Sequence, residues 1–390
     1  MLHSGGLQQA STPATDTNGA LRMNHIQVIG THNSYHREIS LKERAVFDQC
    51  MDDPQNYYYS HSKLSDQLSH QSVRSLELDL HSDLRGGLFE TPLIWKCSNL
   101  NASTYPFHDP NWSKPGYKVF HVNDMDTNAV CHTLVSCLEE LKAWSDANPR
   151  HIPILIDLEM MWDADLKTCN SSCKYVNETC LKGGVCDDEA KHLNLTQLLE
   201  VDREIRSVLP AHKLIVPDNV RKRKLTLEES ILQHGWPTLD AARGKFMFYF
   251  DNEPDTSDPT NYRNLYRADG HDSLQGRVVW TNSLEGDADA AFIKHNTPTG
   301  DDLAEIQRLV KKGYIVRTRA DEPITTVQQN DTTRRHSAFV SGAQIVSTDY
   351  PAYGMSARWD SDYVVQLEGG IVARCNPVTA PEWCKDSMLE

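Results

Sequence analysis

Eight short runs rich in apolar and β-branched residues recur along this 390-residue chain, with segments of helical period between them. That alternation restricts the fold more than any other feature. The runs are Ile26–Ile29, Val73–Leu80, Lys118–Val122, Ile152–Leu158, Lys245–Phe250, Val278–Asn282, Tyr314–Thr318 and Ala343–Thr348. Between them, Val130–Trp144 carries Val130, Leu134, Val135, Leu138 and Leu141 at helical spacing. Asp301–Lys312 does the same with Leu303, Ile306, Leu309 and Val310, and Gly313 supplies a stop. Thr226–Gln233 is a third helical stretch, ended by Trp236-Pro237. Eight strands with intervening helices predict an α/β fold, a (β/α)8 TIM barrel, whose functional residues gather at the C-terminal ends of the strands. An open, doubly wound sheet is the alternative.

Strand periodicity then sorts the polar residues. Side chains two apart on a strand share a face, so Glu77 and Asp79 point to one site, as do Asp157 and Glu159. His32 and Asn33 follow the first run within Gly30-Thr31-His32-Asn33-Ser34-Tyr35, and His121 ends the third. All of this chemistry is expected at one rim. Asn33, Glu77, Asp79 and Glu159 offer only oxygen ligands, which favours calcium or magnesium over zinc, with calcium the choice. A purely structural calcium site is the plain reading of those four. Two histidines beside them suit phosphoryl transfer, one as base and one as acid. Most of the 17 histidines must be bystanders; His36, His81 and His132 lie near the motifs with no partner assigned.

Ten cysteines accompany six Asn-x-Ser/Thr sequons, at Asn101, Asn111, Asn170, Asn177, Asn194 and Asn330. Together they predict a secreted, disulfide-bonded glycoprotein. Cys169, Cys173, Cys180 and Cys186 fall in an insertion over about residues 162–190, read as a stapled surface loop. A zinc knuckle is the competing reading. Cys375 and Cys384 are close enough to bracket a small C-terminal loop. Residues 1–24 contain no apolar leader core, so the expectation is either a leader missing from this chain or unconventional export. They read as a flexible segment before one catalytic domain, 25–390. A net charge of −15 excludes nucleic acid as a partner and disfavours broad adhesion to anionic membranes. The basic run Arg221–Lys224 reads as a solvated loop. No apolar run reaches the roughly 18 to 20 residues of a membrane helix, and a monomer is expected.

Four ordered motifs carry a family resemblance. Gly30-Thr31-His32-Asn33-Ser34-Tyr35, Arg74-Ser75-Leu76-Glu77-Leu78-Asp79, Val119-Phe120-His121 and Pro153-Ile154-Leu155-Ile156-Asp157-Leu158-Glu159 resemble the catalytic-barrel motifs of calcium-dependent phosphatidylinositol-specific phospholipases C, nearest to the secreted microbial branch. Gly342-Ala343-Gln344-Ile345-Val346-Ser347-Thr348-Asp349-Tyr350 extends the likeness more loosely. The resemblance implies that His32 acts near the attacking 2-hydroxyl and that His121 is the general acid for the diacylglycerol oxygen. Calcium would be held by Asn33, Glu77, Asp79 and Glu159. Arg317 and Arg319 resemble the position of a cation and a ring-stacking residue against inositol, although the second is Arg here, and simple surface pairing is an equal alternative for both. Tyr249 and Asp251 stand where the animal signalling enzymes carry lysines for ring phosphates. An acidic side chain there would repel a polyphosphorylated ring.

The expected substrate is therefore phosphatidylinositol or a related inositol phosphodiester, met by transient contact with a membrane surface. The expected products are diacylglycerol and a cyclic inositol phosphate. Two alternatives stay open: a phosphodiesterase of the same fold acting on another lipid or glycerophosphodiester, and a catalytically silent, calcium-stabilised binding protein.

Overall fold

In β2 (Val73–His81) the sequence alternates Leu76, Leu78 and Leu80 with Ser75, Glu77 and Asp79. The leucines join the apolar layer that contains Leu134, Leu138 and Leu141 of the 134–147 helix. The polar set faces the other way, into a barrel, because Arg317 reaches Glu77 and Asp157 from a strand that does not pair with theirs. This computed structural model describes residues 20–161 and 193–389. The stapled insertion, its four cysteines and the sequons at Asn170 and Asn177 lie outside the described residues, as do residues 1–19 of the N-terminal segment.

The other strands are β1 (Ile26–Thr31), β3 (Lys118–Val119), β4 (Ile154–Met160), β5 (Phe246–Phe250), β6 (Trp280–Thr281), β7 (Phe292–Lys294), β8 (Ile315–Arg319), β9 (Ile345–Thr348) and β10 (Arg374–Cys375). Eight of them pair in parallel in the order β6-β5-β4-β2-β1-β9-β8-β7. An isolated parallel bridge, Asn282 to Phe292, joins the two ends of this row. The ring is the (β/α)8 barrel that the alternation predicts, and the bridge excludes the open sheet.

The eight strands are not the eight expected. Lys118–Val122 is no barrel strand: only Lys118 and Val119 are extended, and they pair antiparallel with His81 and Leu80. The apolarity of this run has another cause, since Phe120 packs with Trp95 and Trp112 in a satellite core. β2 and β4 pair directly instead, and the eighth strand of the ring is β7, whose three residues are too short to leave a periodic signal.

The helix expected from Val130 begins at Leu134 instead. Thr133 caps it, its Oγ1 accepting from Ser136 N at 3.1 Å, and Cys131–Cys137 staples the approach. The 301–312 helix ends at Gly313, whose φ of 119° lies in the region that favours glycine. Gly30 has a different reason to be glycine. A Cβ there would sit 2.9 Å from Ser75 Cβ and 3.1 Å from Ile345 Cγ2, so the barrel interior closes only without one.

Candidate active site

The turn after β1 is stitched together by its own hydroxyls. Thr31 Oγ1 and Ser34 Oγ lie 2.6 Å apart, Ser34 N donates to Glu77 O at 3.0 Å, and Glu77 N donates to Ser34 Oγ at 2.7 Å. This clamps the His32-Asn33 turn to β2 at the level of Glu77. Asn33 takes φ of 43°, a left-handed conformation that asparagine tolerates better than most residues. Its carboxamide is buried, and neither its oxygen nor its nitrogen makes a hydrogen bond.

The acidic residues converge as their parity predicts. One oxygen from each of Glu77, Asp79 and Glu159 lies within 4.8 Å of the others. Asp79 is fully buried, with the Tyr35 hydroxyl beside it but no hydrogen bond of ordinary geometry to either oxygen. Burial first, then the charges of Glu159 and Glu77, push its carboxyl well above the usual range. Burial, then Asp251 and Glu77, push Glu159 up to about 8. Five carboxylates, counting Asp157 and Asp251, face two fixed cations here, Arg317 and Lys294. Orphaned oxygens, a buried unpaired carboxamide and a surplus of negative charge fit a hard divalent ion such as calcium.

His32 and His121 line one cleft of about 450 Å³, together with Tyr57, Tyr59, Arg319 and Asp349. Each histidine is oriented by a carboxylate that strand periodicity did not reveal. His32 Nδ1 lies 2.8 Å from Asp349 Oδ1, and its Nε2 lies 3.7 Å from Glu77 Oε1. His121 Nδ1 lies 3.1 Å from Asp126 Oδ2. A carboxylate on Nδ1 fixes that nitrogen as the N–H and leaves Nε2 for the cleft. Burial first, then the positive charge of Arg319, hold His32 well below the usual imidazole range, which leaves the ring neutral with Nε2 unprotonated.

His121 belongs to a hairpin outside the barrel, closed by a bridge between Val122 and Asp126. It reaches the rim because β3 pairs with the C-terminal end of β2. Asp126 is fully buried and also lies 2.9 Å from Nε2 of His36. His36 Nδ1 faces the Tyr59 carbonyl at 3.1 Å. A carbonyl and a carboxylate can only accept, so both ring nitrogens of His36 donate and the ring is an imidazolium. Burial alone would raise Asp126, but His36 and His121 outweigh it and hold it down to about 2.

Of the four residues expected to touch substrate, Arg319 alone lines the cleft. It binds Asp321 at 2.9 Å and Asp349 at 3.0 Å, so it braces the partner of His32. Arg317 is buried among Glu77, Asp157 and Asp251. Asp251 is occupied by Lys294 at 3.1 Å, a β7 residue that sequence reasoning missed along with its strand. Tyr249 packs its ring 3.9 Å from that of Phe292, with its hydroxyl 3.4 Å from Ser75 Oγ.

Two solved structures are similar in fold. The first, titled a calcium-dependent phosphoinositol-specific phospholipase C from a Gram-negative bacterium, Pseudomonas sp., in complex with myoinositol, is 14% identical. The match covers 91% of this chain and 95% of that one, with a TM-score of 0.48. The second, a Ca2+-dependent phosphatidylinositol-specific phospholipase C from Streptomyces antibioticus, is 15% identical over 88% of this chain and 98% of that one, with a TM-score of 0.47. A search of the curated proteins found no match. Residues 21–377 match the family described as phosphoinositide phospholipase C, Ca2+-dependent. The chain belongs to this calcium-dependent phospholipase C family.

Proposed function

We propose that the protein is a secreted phosphodiesterase that cleaves phosphatidylinositol, or a close inositol phosphodiester, to diacylglycerol and a cyclic inositol phosphate. The observation that carries this reading is the pair of cleft histidines, each fixed through Nδ1 by its own carboxylate. A site that only held a metal would need neither. Asn33, Glu77, Asp79 and Glu159 would hold the calcium on which the family depends. When bound there, the ion supplies charge neutralisation for the phosphate.

His32 Nε2 takes the proton of the ring 2-hydroxyl as its oxygen bonds to phosphorus. His121 Nε2–H gives a proton to the diacylglycerol oxygen as the old P–O bond breaks, while Nδ1–H stays with Asp126. Asp349 and Asp126 hold the two rings through Nδ1. An inositol ring without extra phosphates suits the site, because Arg317, Arg319 and Lys294 are already matched by carboxylates. Secretion is supported by the disulfides Cys131–Cys137 and Cys375–Cys384, and by disulfide bonding of Cys50 and Cys97. Asn101, Asn194 and Asn330 are exposed, as glycosylation requires. No described helix is long and apolar enough to cross a membrane. We take residues 25–390 as one catalytic domain that meets the membrane surface transiently as a monomer.

A substrate panel tests the chemistry. Turnover is expected on phosphatidylinositol and not on its 2-deoxy analogue, which cannot cyclise. Equal turnover of both, or turnover only of glycerophosphodiesters, would overturn the reading.

A further inference from the structure

The strand ends hold two overlapping acidic triplets that share one residue. Glu77, Asp79 and Glu159 form the first, and Glu77, Asp157 and Asp251 form the second, each with ligand oxygens within 4.8 Å of one another. Two cation sites bridged by a carboxylate are the arrangement on which two-metal phosphodiesterase chemistry is built. What separates the triplets is their content. Oxygens of Asp79 in the first and of Asp157 in the second both lack a hydrogen-bond partner, but in the first neither Asp79 nor Glu159 forms an ion pair with a described Lys or Arg.

The second surrounds the Arg317 guanidinium. Its Nε lies 3.3 Å from Asp157 Oδ2, one terminal nitrogen lies 3.8 Å from Asp251 Oδ2, and the other donates to Glu77 Oε2. Asn296 Oδ1 at 3.0 Å and Ser347 Oγ at 3.3 Å hold the group from its remaining edges. Arg317 is 2% exposed and does not line the cleft.

We infer that Arg317 is a built-in cation standing in place of a second divalent ion, so that the barrel mouth accepts one calcium and Glu77 offers it Oε1 alone. The inference rests on the reading that Asn33, Glu77, Asp79 and Glu159 hold calcium. Three carboxylates this close and this buried repel one another strongly unless a cation lies among them. A guanidinium suits that place because it never deprotonates and its planar fork can face several carboxylates at once. It also decides which oxygen of Glu77 is spent: Oε2 goes to Arg317, while Oε1 stays on the side of His32, 3.7 Å from Nε2. Arg317 is then a positioning residue, not the inositol contact expected from the sequence.

Calorimetric titration of the chelator-treated full chain with calcium reads this directly, with melting in chelator as the check on folding. The wild type is expected to bind one calcium per chain, Arg317→Met two, and Arg317→Lys, which keeps a fixed charge, one. A single site of unchanged affinity in a folded Arg317→Met protein overturns the inference. So does a second calcium in the wild type that Asp157→Asn removes, a result that does not depend on whether Arg317→Met folds. A wild type that binds no calcium would instead overturn the calcium reading itself.

Discussion

The two halves of the active site are built in different ways. His32 and the acidic cluster sit on ends of parallel strands inside a closed ring, where each backbone is fixed by neighbours on both sides. His121 and Asp126 sit on a small hairpin outside the ring, tied to β2 by two residue pairs. The hairpin draws its rigidity from elsewhere: the His36 imidazolium, the aromatic core around Phe120 and the Cys131–Cys137 staple. The half proposed to hold the metal is thus held by the fold, and the half proposed to supply the leaving-group proton is held by side chains. Damage to supporting residues should therefore act differently on the two sides.

The largest effects should be the same in both halves. His32→Ala and His121→Ala are each expected to lower kcat by about 10²–10⁴-fold, with melting temperature unchanged; near-native turnover in either would remove that histidine from the chemistry. Asp79→Asn should weaken calcium binding by about 100-fold or more, since even outer partners of metal ligands cost roughly 10–100-fold; calorimetry reads this without substrate.

The supporting carboxylates separate the halves. Asp349→Asn and Asp126→Asn should each lower kcat by about 10–100-fold, but their stability costs should diverge. Arg319 keeps Asp321 when Asp349 is neutralised. The His36 imidazolium loses the carboxylate at its Nε2 in the Asp126 variant, and breaking such a buried pair costs about 3–5 kcal/mol. Equal chemical denaturation midpoints for the two variants would erase the distinction. A Cys131→Ser/Cys137→Ser double variant should cost about 2 kcal/mol for so short a loop.

The smallest effect is a pH slope. Asp126 is held down to about 2 from an ordinary 3.8, so its stabilisation is present above the ordinary value and lost as pH falls through the folded one. The difference in melting temperature between wild type and Asp126→Asn should shrink as pH falls through about 4 towards 2.

The same division governs what could be read from sequence. Glu77 with Asp79 and Asp157 with Glu159 were legible because a period of two puts them on one face, and the β2–β4 register pairs them level with each other. Asp349 was within reach, two residues past Ser347 on the interior face of β9. Asp126 and His36 left no signal, because a hairpin turn and an irregular loop impose no period that would align their side chains. His121 was expected at the correct rim through a strand that does not exist in the ring. The apolar Val119-Phe120 feeds a satellite core, and a pairing at the end of β2 delivers the histidine instead. Arg317 was legible as a strand residue, but its partners come from β2, β4 and the residue after β5, across the barrel, where sequence spacing carries no information.

In the proposed mechanism a calcium site and two carboxylate-held histidines together perform an intramolecular displacement at phosphorus. Phosphorus NMR of the purified chain with phosphatidylinositol, first in calcium and then in chelator, tests it most directly. A cyclic inositol phosphate resonance is expected to grow in calcium and to fail to appear in chelator. An acyclic phosphate as the first product, or turnover that chelator leaves unchanged, would contradict it.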